Sequence, residues 1–276
     1  MRRVAIIGVA LAAGALAPAA QAHVQRASAD GVSATFSYQG SYPSYRDERL
    51  TITRDGHVAY LAPVRSAYCP RQFPCGPFTP SPGGSAVHVA RLSAGGAPAV
   101  VLGLYTGGAH CCAVAQVYLY EPATGGYRRI EHDFGDPGFR LTDLRHDGVQ
   151  EFQSADDSFA YAFTDYAASG LPLQVLAVRG GRFADVTRAY PRLIAADAAL
   201  WLHAFRSQAP GYSDTTGVIA AWAADEDELG HSALVARFLD AQARAGHLRS
   251  PLYPKRDGRR FIAVLDRFLR QHGYLR

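Results

Sequence analysis

Over residues 32–178 apolar and polar positions alternate in short runs, the period of strands that bury one face. Val32–Gln39 puts Val32, Ala34, Phe36 and Tyr38 on one side. Residues 50–54 and 57–61 flank Asp55-Gly56, a pair suited to the left-handed turn of a tight hairpin. Further strands are predicted at 86–92, 99–105, 113–120, 127–132 and 139–142, each bounded by Gly, Pro or Asp. A last hairpin joins 173–178 to 182–184 across Gly180-Gly181.

The period then changes. Pro191 stands where a first helical turn tolerates it, and Leu193, Ile194, Trp201 and Phe205 follow at helical spacing. Residues 216–229 form a second helix ended by Gly230, with Asp225, Glu226, Asp227 and Glu228 in its last turn. Acids there oppose the helix dipole, so this end is expected to fray. Leu234, Val235, Phe238 and Leu239 mark a third helix, and Phe261, Ile262, Val264, Leu265, Phe268 and Leu269 a fourth.

The fold class is therefore α+β: an antiparallel β-rich module over residues 23–181, partly propeller-like in its short regular strands, then an α-helical segment over 182–276. Residues 1–22 have the form of a secretory leader: Arg2 and Arg3, an apolar run over 4–17, then Ala20-Gln21-Ala22 before the expected new terminus at His23. The expected location is secreted, periplasmic or cell-envelope. No later run approaches the roughly 20 apolar residues of a spanning helix, so no membrane insertion is expected.

Composition narrows the function. With 28 basic and 24 acidic residues the charge is too balanced for a nucleic-acid binder. Lys255 is the only lysine and Asn is absent, which removes a P-loop, a Ser-x-x-Lys site and N-glycosylation. Gly-x-Ser-x-Gly, His-Glu-x-x-His and Cys-x-x-Cys are absent too. Export makes the four cysteines, Cys69, Cys75, Cys111 and Cys112, disulfide partners before metal ligands. Three pairings are open, and one of them closes a ring between the adjacent Cys111 and Cys112.

A weak internal repeat lays residues 91–100 over 143–152. Between its copies, Gly107-Gly108-Ala109-His110-Cys111-Cys112 resembles a signature of exported bacterial proteins of largely unassigned function. In those proteins it accompanies Asp-Gly turns similar to the calcium turns of FG-GAP and VCBS repeats. The resemblance covers residues 86–163 and implies an exported β-rich module used for binding or display, without an activity.

The candidate chemistry is sparse. Asp143, Asp147 and Glu151 match oxygen ligands of a calcium turn, but Arg145 takes the middle position. An alternative has Arg145 replace the ion by pairing with the two aspartates. His23, with a freed α-amino group, is a copper chelate if His57, His88 or His110 comes close; His110 beside the vicinal cysteines is a second soft-metal candidate. Glu151, Asp156 and Asp157, with Tyr161 and Asp165 nearby, are the candidate acid and base of a glycoside hydrolase. His132 and Asp133 are ambiguous. Tyr38, Tyr42 and Tyr45 offer rings for stacking, whereas Trp201 and Trp222 fall on helical faces that belong to a core. The expectation is a non-enzymatic, disulfide-stapled binding or structural protein with an unknown extracytoplasmic ligand, protein or carbohydrate. No cofactor is expected, with calcium or copper as the alternatives. The rival functions are a carbohydrate or cell-wall hydrolase and a copper-binding protein.

Overall fold

A computed structural model describes residues 22–69, 75–79, 83–207, 214–253, 255 and 257–275. Residues 1–21, where a leader is expected, and the segment between Cys69 and Cys75 lie outside the described residues.

Three antiparallel sheets follow one another along the chain. The first is β1 (Ala22–Ala29), β2 (Val32–Gln39), β3 (Arg46–Arg54) and β4 (His57–Pro63), in that order. The second is built on β7 (Ala99–Gly108), β8 (Cys111–Glu121) and β9 (Gly126–Asp133). Its outer edge is shared by β5 (Gly76–Pro77) and β6 (Val87–Ala90), which pair with successive parts of β7. The third is β10 (Arg140–Thr142), β11 (Glu151–Ala155), β12 (Leu173–Arg179) and β13 (Arg182–Asp185). Asp55 and Gly56 both take positive φ, as the Asp-Gly turn requires. Asp30-Gly31 makes the same turn between β1 and β2.

The middle sheet is covered on both faces. Phe36, Leu50 and Ile52 of the first sheet pack on Leu102, Leu104 and Val114. Val101, Ala115 and Val117, pointing the other way, pack on Phe152, Leu176 and Val178 of the third sheet. This explains the unbroken apolar run at the start of β7, since a strand buried on both faces has no polar side to show. The sheets stack face to face, and the described residues form no closed barrel or propeller.

The weak repeat has a structural meaning. Its offset of 52 residues superposes the end of β6 on the end of β10 and the start of β7 on the start of β11, so it spans one sheet of the stack. The first turns of all three sheets touch: Arg91 reaches Asp30 at 2.9 Å, and the Arg91 carbonyl accepts the Gln150 N–H at 2.8 Å.

Four helices follow: α1 (Pro191–Ser207), α2 (Thr216–Glu228), α3 (Ser232–Arg244) and α4 (Arg259–Gln271). Ile194 of α1 packs on Val175 of the third sheet, while α2 is the buried centre of the helical core. The last turn of α2 does not fray as its charge pattern suggested. Asp225 and Asp227 are buried there, and the N–H groups of Leu229 and Gly230 close onto the carbonyls of Asp225 and Asp227. Tertiary packing overrides the unfavourable dipole.

Candidate functional site

In a stack of meanders, equivalent connections meet at one end. The connection between second and third strands is 40–45 in the first sheet, Ala109-His110 in the second and 156–172 in the third. All three come together. Tyr42 donates its hydroxyl to the Gly107 carbonyl at 2.9 Å. His110 at the hairpin tip lies 4.1 Å, ring to ring, from Tyr166, which in turn lies 5.6 Å from Tyr161.

Two disulfides stiffen this end. Cys111 pairs with Cys112 at the start of β8, and Cys69 pairs with Cys75 immediately before β5. Strand β5 pairs with Leu104 and Tyr105, beside the tip of β7. Tyr105 donates to the Gly108 carbonyl, and Thr106 Oγ1 accepts the Cys112 N–H at 3.0 Å, so the tip is held by its own side chains.

Carboxylates line the third-sheet side. The Tyr166 hydroxyl donates to Asp136, which lies between β9 and β10. Asp156 accepts the Ser158 N–H at 2.9 Å and the Tyr274 hydroxyl at 2.7 Å, tying the site to the C-terminal helices. Burial, joined by the charges of Asp136, Asp133 and Asp156, pushes the Asp157 carboxyl up, against the lowering effect of the Asp136 N–H. Asp157 Oδ1 is buried without a hydrogen-bond partner among the described residues. Asp157 packs directly on Gly135, where φ is +63° and any Cβ would overlap its carboxyl group. Tyr42 is 61% exposed and Tyr161 53%, and Asp136 and Asp157 are half-buried at the same end. Such a surface can stack on a flat apolar face and accept hydrogen bonds from a hydroxylated rim.

The candidates named from sequence divide between this end and elsewhere. His110, Cys111, Cys112, Asp156, Asp157 and Tyr161 converge here. Glu151 does not: it is 4% exposed, accepting the Tyr190 hydroxyl at 2.6 Å and the Leu144 N–H at 3.3 Å. Asp143 and Asp147 serve their own turn. Asp143 accepts the N–H groups of Asp147 and Gly148, and Asp147 accepts that of Val149. For Asp143 a desolvation effect is outweighed by the backbone N–H groups of Gly148, Asp147 and His146, which hold its carboxyl below the usual range. Arg145 turns away from these aspartates and lies over the Tyr190 ring at 5.3 Å, correcting the expectation of an internal ion replacement. His23 stacks on Tyr38 at 4.9 Å. Burial lowers His132, which is half-buried against Phe134 and Phe183. Among the described residues no three His, Cys, Asp or Glu side chains form a metal-holding group.

Asp136, Tyr166 and Tyr274 had no signal in the sequence; only the assembled loops bring them to the site.

Comparison with known proteins gives partial matches. The chain is 35% identical over 91 residues to a probable thylakoid lumen protein of Synechocystis sp., covering 33% of this chain and 27% of that protein. It is 30% identical over 138 residues to an uncharacterized protein of Sinorhizobium fredii, covering 49% of this chain and 21% of that one. The chain thus spans about a quarter of the length of these curated relatives. No family model and no solved structure matches. Among the described residues, no helix is long and apolar enough to cross a membrane.

Proposed function

We propose that the chain is an exported, disulfide-stapled binding module that performs no chemistry on its ligand, and that its ligand end takes a carbohydrate chain. One observation carries this reading: the equivalent loops of three successive sheets bring exposed Tyr42, His110 and Tyr161 to one end of the stack, where Tyr166, packed on His110, donates to Asp136 and Asp157 lies next to Asp136. A sugar ring presents an apolar C–H face and a rim of hydroxyls, which aromatic rings and carboxylates complement. The leader-like first 22 residues and a relative named for the thylakoid lumen support export. The resemblance of the Gly107–Cys112 segment to exported display modules points the same way.

Hydrolysis is the second reading because Asp157 is a raised carboxyl among other carboxylates, the state a general acid needs. Glu151, enclosed under Tyr190, has no route to a substrate. The test is a microarray of bacterial and plant cell-wall oligosaccharides probed with the secreted chain, followed by mass analysis of each retained glycan. Retention of intact glycans, weakened about tenfold by Tyr161→Ala, supports the binding reading. Failure to retain any glycan overturns it. Glycan shortening that Asp157→Asn abolishes makes the protein a hydrolase.

A further inference from the structure

A disulfide stabilises a fold chiefly by restricting the unfolded chain, and the effect shrinks with the length of chain it closes. Cys69–Cys75 has a sequence separation of 6, and Cys75 is sealed at 1% exposure in the core between the first and second sheets. That pair is a staple. Cys111–Cys112 joins neighbours in sequence and closes no loop. It contributes next to nothing by this route, so the fold does not depend on its being oxidised.

Its position gives it another use. The pair lies at the tip joining β7 to β8, with Cys111 half-buried and Cys112 8% exposed, so Cys111 is the member an outside thiol meets. A ring between adjacent residues restricts the backbone torsions on either side of their shared peptide bond, and opening it frees both. Those torsions set the tip. Cys111 pairs with Gly108, where an added Cβ would stand 3.0 Å from that of Cys111. The Cys112 N–H reaches Thr106 Oγ1 at 3.0 Å. The next residue, Ala113, donates to the Gly135 carbonyl and accepts the Phe134 N–H, both at 2.8 Å. On the other side Gly107 takes the Tyr42 hydroxyl, and His110 rests on Tyr166. One covalent bond thus bears on loops from all three sheets.

We propose that Cys111–Cys112 is a thiol–disulfide exchange site whose substrate is an external dithiol, and that opening it loosens the loops gathered at this end of the stack. A thiolate of the dithiol attacks Cys111 Sγ, the S–S bond breaks, and its electron pair leaves on Cys112 Sγ, which takes a proton. The second thiolate of the dithiol then attacks its own sulfur in the mixed disulfide and releases Cys111 as a thiolate, which is protonated in turn. Two electrons and two protons pass to the protein, and the dithiol becomes a disulfide. In an oxidising compartment the closed form persists until such a donor arrives. The exchange does not rest on the glycan reading, and every measurement is made on the chain without glycan, so either can fail alone.

The oxidised full chain is incubated under native conditions with dithiothreitol or with reduced thioredoxin, a Cys-x-x-Cys protein, then alkylated and mapped by peptide mass. Cys111 and Cys112 should be labelled at least about tenfold faster than Cys69 and Cys75, since the sealed pair is the less accessible. Opening by thioredoxin identifies a protein donor and opening by dithiothreitol alone a small one; resistance to both overturns the proposal. Opening the pair should move the melting temperature by less than about 2 °C, because no loop is released. Hydrogen–deuterium exchange should quicken in residues 40–45, 106–112 and 133–136 while 91–98 and 143–150 stay unchanged, and should revert when glutathione disulfide recloses the pair. Cys112→Ser, which leaves the Cys111 thiol, should react with dithiobis-nitrobenzoate at least about tenfold faster than Cys111→Ser, which leaves the buried one. The reductant experiments use the native sequence and stand if a variant fails to fold. Labelling of Cys69 and Cys75 first, a larger fall in melting temperature, or hydrogen–deuterium exchange unmoved by reduction would each overturn the proposal.

Discussion

Asp225→Asn isolates the most strongly perturbed acid in the helical core. Asp225 is at 0% exposure in α2, with Asp197 of α1 acting on it. Burial first, then the charge of Asp197, push its carboxyl up to about 10 from an ordinary value of 3.8. Asp197 accepts the Leu173 N–H at 3.0 Å and the Trp201 indole N–H at 2.9 Å. The native chain thus keeps a proton on Asp225 that the unfolded chain releases above about pH 4. Folding with a raised carboxyl is fully stabilised below the unfolded value, and the contribution is lost as pH rises toward the folded one. Across that window the loss is about 1.4 kcal/mol per pH unit, or roughly 4 kcal/mol between about pH 5 and pH 8. That is a large share of a total stability of about 5–15 kcal/mol. Asparagine is neutral throughout and removes this slope. Glu48, raised to about 7 chiefly by burial, adds a slope of the same sign to both proteins, so the difference between them is the quantity to read. Urea unfolding of both chains at pH 5, 6, 7 and 8 should show the variant gaining steadily on the parent. Parallel stability curves would refute the assignment of Asp225 as a protonated acid.

Other consequences are smaller and separable. Glu151→Gln should cost about 1–3 kcal/mol in urea unfolding, because it disturbs a buried carboxylate with two donors, and should leave glycan retention unchanged. Gly135→Ala should cost more than about 2 kcal/mol by the same assay, since φ is positive and the new methyl overlaps Asp157. Replacing Cys69 and Cys75 by serine should lower stability by about 2 kcal/mol, the figure for closing so short a loop, as read by thermal unfolding with and without reductant.

Much of the architecture was legible because burial writes a period into the chain. The alternation of Val32, Ala34 and Phe36 survives as one buried face, and Gly230, Gly246 and Gly273 each take positive φ just after α2, α3 and α4. Strand β1 was invisible for the opposite reason: its residues are half-buried or exposed, so no apolar face marks it. The charge pattern of α2 misled, because dipole arguments treat a helix end as solvated and this one is walled in by α1, α3 and α4. The disulfide pairing was legible only as three alternatives, since cysteine spacing carries no three-dimensional information. The candidate site was half legible. Its chemistry stood out at His110, Asp156 and Asp157, but their meeting depends on sheet stacking, which joins Tyr42 to Gly107 across 65 residues.

The central claim is that one end of the stack, built from equivalent loops of three sheets, is the binding surface. Hydrogen–deuterium exchange of the chain, with and without a glycan retained on the microarray, tests it most directly. The account predicts slowed exchange in residues 40–45, 106–112 and 156–168, with 91–98 and 143–150 at the opposite end unchanged. Protection confined to that opposite end would contradict it.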